Sequence, residues 1–250
     1  MKIDFTDQVV VVTGATRGIG SQLANDFSNL GARLILTGTK EEEVEALNEV
    51  AVKDGKSRKK YYCADFTDGE STAKFVKDLR AYERIDVCVN NAGINRLNYI
   101  DETRLEDWDD MIAVNLKAPF MITREVSKVM KKNLYGRIIN ISSLFGVISR
   151  EKRSIYSASK FGIRGLTMAS SNELARYNVL VNAVSPGFVL TELTRRNLTE
   201  EEMEKLVGEI PMRRLATPDE ISRVVLFLAS TLNTYLTGQN IIVDGGYVNV

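Results

Sequence analysis

The 250 residues carry 33 acidic and 33 basic side chains, 44% hydrophobic residues and no histidine. This is the profile of an ordinary globular chain, long enough for a sizeable core, and its balanced charge makes no case for nucleic acid. The lack of histidine excludes a Ser-His-Asp hydrolase, a papain-like protease and any histidine-ligated zinc site.

The opening stretch MKIDFTDQ lacks the apolar core of a signal peptide, and no run approaches a membrane span. A cytoplasmic protein is expected. Short β-branched runs then alternate with longer amphipathic ones. Strands are predicted at 9–14, 33–38, 61–65, 85–91, 136–142, 179–186 and 240–246, and helices at 19–30, 41–53, 70–83 and 155–177. Several strands are apolar on consecutive residues, as in a parallel sheet covered on both faces. The alternation predicts an α/β fold, a doubly wound parallel sheet of about seven strands, built as one domain over 1–250. Residues 187–218, punctuated by Pro211 and Pro218 and with a helix over 199–207, read as a lid over the carboxyl ends of the strands. The basic run at Lys56, Arg58, Lys59 and Lys60 reads as a solvated loop. Cys63 and Cys88, each in an apolar strand, read as inert core thiols.

The first strand runs directly into TGATRGIG, with Gly14, Gly18 and Gly20 ahead of a helix. Such a turn lets the backbone approach a pyrophosphate, and the helix N-terminus offers free N–H groups and a positive dipole end. Later, SIYSASKFG places Tyr156 and Lys160 at i and i+4, on one face of a helix. Taken singly, Asn115 reads equally as a helix polar contact, Ser143 as a turn former, and Asn90 and Asn91 as strand-end groups.

The Gly-x3-Gly-x-Gly spacing resembles that of the short-chain dehydrogenase/reductase family, and further motifs follow in the family's order. Asp65 follows the third strand, NNAG (Asn90–Gly93) the fourth, and Asn115 lies in VNLKAPF. Ser143 closes ISS, Tyr156 and Lys160 come 13 and 17 residues later, and SPGFVLT and TGQNIIVDGG complete the series. The pattern is most similar to 3-oxoacyl-carrier-protein reductases and to related sugar and polyol dehydrogenases.

The resemblance implies a Rossmann-type fold and an oxidoreductase using NADP(H), with no metal. It makes Tyr156 the general acid and base, with Lys160 lowering the phenol's pKa and binding nicotinamide ribose. Ser143 hydrogen-bonds the reacting oxygen, and Asn115 holds a water that connects Lys160 to solvent. Cofactor contacts are implied at Gly14, Thr16, Arg17, Gly18, Ile19 and Gly20, then at Thr39, Asp65 and Phe66. Others fall at Asn91, Ala92 and Gly93, at Pro186, Gly187, Val189 and Thr191, and at Tyr156 and Lys160 themselves. NADP(H) is preferred over NAD(H) because Gly38 stands where an acid would grip the ribose diol. Thr39 and Lys40 follow it, and Arg17 suits a 2′-phosphate.

The substrate expected first is a 3-oxoacyl thioester. A small anionic sugar or keto acid is the alternative, given SREKRS after Ser143 and Arg195, Arg196, Arg213 and Arg214 in the lid. At the places where carrier-protein reductases tend to be basic, the chain has Asn133, Leu134 and Tyr177, with Lys131, Lys132 and Arg176 nearby. A non-catalytic nucleotide sensor is the reading from another class, disfavoured by the Tyr-x3-Lys pair. The family habit implies a homotetramer, with Gly162 and Gly165 permitting close approach of helices.

Overall fold

Seven strands form one parallel sheet in the order β3-β2-β1-β4-β5-β6-β7. They are β1 (Val9–Val12), β2 (Arg33–Gly38), β3 (Lys59–Cys63), β4 (Val87–Asn90), β5 (Gly136–Ile141), β6 (Val179–Pro186) and β7 (Asn240–Val243). The computed structural model describes residues 2–53, 58–191, 194 and 199–249. Helices are α1 (Gly18–Asn29), α2 (Glu41–Lys53), α3 (Gly69–Leu79), α4 (Leu105–Ile112), α5 (Ala118–Asn133), α6 (Ser154–Leu174), α7 (Glu200–Glu209) and α8 (Pro218–Ala229).

The unbroken valine run of β1 divides between the two faces, because successive strand residues point to opposite sides. Val10 and Val12 pack with Leu23 and Phe27 of α1 and Val225 of α8. Val9 and Val11 pack with Phe75 of α3, Ile122 and Val126 of α5 and Leu174 of α6. Burying such a side chain contributes about 1.5–3 kcal/mol, so two-sided burial is what the consecutive apolar residues encode. The order of the strands reverses between β1, which pairs with β2, and β4 on its other side. In open sheets of this kind, ligands bind outside the carboxyl ends at that reversal.

Three expectations change at the strand ends. Strands predicted to run through Gly14, Asn91 and Gly246 stop earlier, where the chain turns toward the site. Gly14, Gly245 and Gly246 have φ of 63°, 66° and 91°, a region that glycine enters freely. Lys59 and Lys60 belong to β3, not to a loop. β3 is an edge strand, and its charged residues discourage further pairing there. Lys56 lies outside the described residues.

Cys63 is the third correction. It ends the edge strand with its thiol exposed, 3.6 Å from the Thr39 carbonyl, so it is not a core residue. Cys88, on central β4, is buried as expected, and burial pushes its thiol up to about 12. Among the described residues, no helix is long and apolar enough to cross a membrane.

Candidate active site

The glycine turn is held by its neighbours before any ligand is considered. Gly14 N–H donates to Thr37 Oγ1 (2.9 Å), and Thr13 Oγ1 accepts from the N–H groups of Asn91 and Ala92, both at 3.0 Å. Asn91 Nδ2 donates to the carbonyls of Thr13 (2.9 Å) and Gly14 (3.0 Å). The side chain of Asn91 therefore braces the turn. A Cβ on Gly20 would collide with the Gly14 carbonyl, so α1 enters the turn closer than any other residue permits. Arg17 occupies the N-cap of α1 without a side-chain cap bond, and among the described residues no group accepts from the first-turn N–H groups.

Those groups face a cleft of about 510 Å³ lined by Thr16, Arg17, Gly18, Lys40 and Thr191, among others. Thr191 reaches Gly18 from the far side, 3.5 Å from where a Cβ would lie. Ser21, Gln22 and Asn25 of α1 and Glu43 of α2 also line it, and the sequence reading missed all four. The three α1 positions share the polar stripe one turn beyond the glycines, and that stripe was the available signal. A side chain at Gly38 would meet Thr16 Cγ2 at 2.5 Å, so an acid at the end of β2 would require Thr16 to shift.

Thr39, Asp65 and Phe66 gather at the ends of β2 and β3, tied by Ala64 N–H to the Gly38 carbonyl (2.8 Å). Thr39 is exposed there, and Asp65 Oδ1 accepts from Thr67 N–H (2.9 Å) and Oγ1 (2.7 Å). Phe66 is buried against Phe75 (6.1 Å), and Ile19 packs on the core, so both support the cleft from beneath. Opposite, Pro186 ends β6 and Gly187 N–H donates to the Val243 carbonyl (2.9 Å). Val189 pairs with Ala216 in an isolated parallel bridge. Arg214 is paired with Glu220 (2.6 Å) and Arg213 donates to the Gly208 carbonyl, while Arg195 and Arg196 lie outside the described residues.

Ser143, Tyr156, Lys160 and Asn115 come from three elements that meet at the carboxyl edge. Ser143 follows β5, Tyr156 and Lys160 lie on α6, and Asn115 sits in a π-helical turn (Ala113–Lys117) between α4 and α5. Lys160 Nζ donates to the Ile141 carbonyl (2.9 Å) and lies 5.7 Å from the Tyr156 ring centroid. Asn115 accepts from Ile94 N–H (2.9 Å) and donates to the Ile94 carbonyl (2.9 Å) and Ser159 Oγ (3.1 Å). Gly93 closes the group, since a Cβ there would sit 3.4 Å from Asn115 Oδ1 and 3.5 Å from Lys160 Nζ.

The electrostatics depart from the sequence expectation in one respect. Burial raises the Tyr156 phenol above its ordinary value, opposed by a hydrogen bond with Ser143 and by the positive charge of Arg153. Lys160 was expected to be that opposing charge, but its ammonium is turned to Ile141. Burial brings Lys160 down to about 8, which leaves it mostly protonated at neutral pH. Arg153 was not among the predicted site residues.

The family described as enoyl-(acyl carrier protein) reductase matches residues 14–248. A 3-oxoacyl-(acyl-carrier-protein) reductase of Rickettsia bellii is 37% identical, over 99% of this chain and 100% of its own length. The enzyme so named from Thermotoga maritima is 40% identical, over 96% of this chain and 98% of its own. The chain belongs to the short-chain dehydrogenase/reductase family. As a short-chain dehydrogenase/reductase it is an oxidoreductase, and its seven-stranded Rossmann-type sheet is the one expected. A solved gluconate 5-dehydrogenase of Burkholderia cenocepacia, in complex with NADP and tartrate, superimposes with a TM-score of 0.91. It shares 29% identity, with 99% of this chain and 98% of that chain covered. A putative NAD(P)-dependent gluconate 5-dehydrogenase of Beutenbergia cavernae, with bound NADP, matches at TM-score 0.91 and 33% identity, covering 99% of both chains.

Proposed function

We propose that this protein transfers hydride between NADP(H) and a carbonyl or secondary alcohol, with Tyr156 as general acid and base. The observation that carries the proposal is the convergence of Ser143, Tyr156 and Lys160 beside a glycine cradle with open helix N–H groups. The cradle fits a pyrophosphate, and Arg17 and Lys40 line the same cleft, with Gly38 in place of an acid at the end of β2. When bound, the dinucleotide supplies or accepts the hydride.

The chain's own residues handle the proton. With its pKa raised, the Tyr156 phenol is protonated at neutral pH and ready to donate to a carbonyl oxygen. Ser143 Oγ holds that oxygen, and Lys160 contacts the nicotinamide ribose. Among the described residues Asn115 Oδ1 accepts one hydrogen bond, which leaves a lone pair for the water of a proton relay.

A 3-oxoacyl thioester is the first substrate reading, supported by the full-length likeness to proteins of that name. A compact sugar or keto acid is the second, supported by the gluconate dehydrogenase neighbours. Lys131 and Arg176, which stack on Tyr177 at 4.7 and 4.9 Å, lie toward the amino ends of β5 and β6. Within a protomer they are far from Tyr156, which weakens the case for a docked acidic carrier.

The assembly we propose is a cytoplasmic homotetramer of single-domain subunits, each with a lid over about 187–218. Its support is the exposure of Leu105 (78%), Phe120 (48%) and Phe161 (44%) on α4, α5 and α6. Gly165 faces open space, as close helix approach requires, whereas Gly162 is used within the chain against Leu116. NADPH oxidation on a panel of carbonyl compounds tests the function. A purified protein that binds NADPH but reduces nothing would be a sensor, and one at least as active with NADH would refute the cofactor preference.

A further inference from the structure

Beside Tyr156 stands a wall of aromatic rings with two arginines on it. Phe145 contacts Tyr156 edge-on (6.4 Å between centroids) and Phe188 at 6.2 Å, and Phe188 contacts Tyr247 at 5.2 Å. The Arg150 guanidinium lies 5.8 Å from the Phe145 centroid and 5.9 Å from that of Phe188. It is answered by Glu209 of α7 at 4.0 Å, and Glu209 also accepts from the Tyr247 hydroxyl at 3.1 Å. Arg150 therefore fastens the wall to α7.

Arg153 differs. Its guanidinium packs on Phe145 at 4.6 Å, on the ring that also touches Tyr156. It occupies the N-cap of α6, three residues before Tyr156, so the two side chains emerge from adjoining positions roughly 5–6 Å apart. Among the described residues, no carboxylate lies within ion-pairing distance of it, in contrast to Arg96, Arg104 and Arg150. A half-buried guanidinium has lost water that a fork-matched oxyanion would replace.

We infer that Arg153 is the anchor for an oxyanion of the substrate, a carboxylate or a phosphate. The site then takes a compact keto or hydroxy anion in preference to a neutral acyl thioester. The inference rests on the reading of Tyr156 as proton donor, and of the two substrate readings for that site it favours the second over the first. Ser143 and Tyr156 mark where the reacting oxygen lies, and Arg153 is one helical turn away. The anionic group therefore sits only a few bonds from the carbonyl. A thioester presents a neutral chain there, leaving the guanidinium desolvated and unanswered. A charged group supplies two parallel hydrogen bonds and fixes the carbonyl in register.

The test uses the full-length protein saturated with NADP⁺ and reads binding separately from turnover. Tartrate, as a carboxylate probe, and inorganic phosphate are titrated calorimetrically into wild type, Arg153→Gln and Arg153→Lys. At least one anion should bind wild type, weaken about tenfold or more in Arg153→Gln, and recover in part in Arg153→Lys. A response to tartrate alone assigns a keto or hydroxy acid, and a response to phosphate alone assigns a phosphorylated carbonyl compound. Absence of both from wild type, or equal binding by wild type and Arg153→Gln, overturns the anchor.

NADPH oxidation is then followed with a keto acid, a keto sugar phosphate, a neutral keto sugar and a neutral acetoacetyl thioester. The ratio of kcat/KM for the best anion over its neutral counterpart should exceed about 10 in wild type. In Arg153→Gln it should collapse toward unity through KM. A thioester that outperforms every anion, with a ratio unmoved by the substitution, overturns the inference. If anion binding depends on Arg153 while wild type reduces nothing, the hydride-transfer reading fails and the anchor stands.

Discussion

The two halves of the site are built from different materials. On the α1 side, the cleft is made of backbone: open N–H groups, glycines at positive φ, and side chains such as Asn91 and Thr13 that hold the turn in shape. On the α6 side, it is made of side chains: a half-buried phenol, a buried ammonium, and guanidinium groups on an aromatic wall. A pyrophosphate is common to many ligands and is met by a geometry any chain can supply with glycine. A particular carbonyl compound is met by side chains that must be placed one by one. The first half determines that a dinucleotide binds, and the second determines what is done with it.

Tyr156→Phe tests this division most severely. It removes one oxygen from the side-chain half, and turnover should fall by about 10²–10⁴-fold or more. NADPH affinity, measured by cofactor fluorescence, should change less than about threefold, because the backbone half is intact. Substantial remaining activity would sink the mechanism.

Gly20→Ala is the converse. The added methyl collides with the Gly14 carbonyl and crowds Asn91 Nδ2 (2.6 Å), so the turn must open. NADPH binding should weaken by about 100-fold, equivalent to about 2.7 kcal/mol. Thermal stability should fall as well, by several degrees.

Lys160→Met separates function from stability. Its buried ammonium, lowered from 10.5 to about 8, disfavours folding by an amount on the order of 3 kcal/mol at pH 7. The unfolded chain binds more protons between these values, so wild-type stability should rise with pH from about 8 to about 10.5. The variant should be inactive yet more stable at pH 7, by about 1–3 kcal/mol once the Ile141 carbonyl loses its donor. The gain should shrink above pH 10. Denaturant titrations at the two pH values check it, and a variant less stable at pH 7 would refute it.

A smaller effect concerns the phenol. Removing the Arg153 charge leaves burial less opposed, so Arg153→Gln should shift the Tyr156 limb of the pH–kcat profile to higher pH. An unchanged profile would show that Arg153 does not act on the phenol.

Smallest of all is Glu220→Gln, in the first turn of α8. Glu220 is held down to about 2 by Arg214 and by the Thr217 backbone. Its contribution is therefore present above about 4.5 and fades as pH falls toward 2. Because the pair is partly exposed, the expected loss at pH 7 is at most about 1 kcal/mol. Most of the loss should be gone by pH 2, and an undiminished difference there would assign the effect to packing.

By itself the sequence determined what depends on local order. Consecutive valines marked buried strands, the glycine spacing marked the turn, and Ser143, Tyr156 and Lys160 kept their places because a strand end and one helix position them. Cys63, Lys59 and Lys60 were misplaced because exposure depends on which strand lies at the edge of the sheet. That order is set by crossovers between distant segments, and no local pattern records it. Arg153 was passed over for the same reason. In the sequence it is one basic residue of SREKRS among several. Only the packing of Phe145, which follows β5, against Tyr156 on α6 gives its guanidinium a place within the site. A charge acts through its distance to other groups and through the water it has lost, and both are decided when the chain folds.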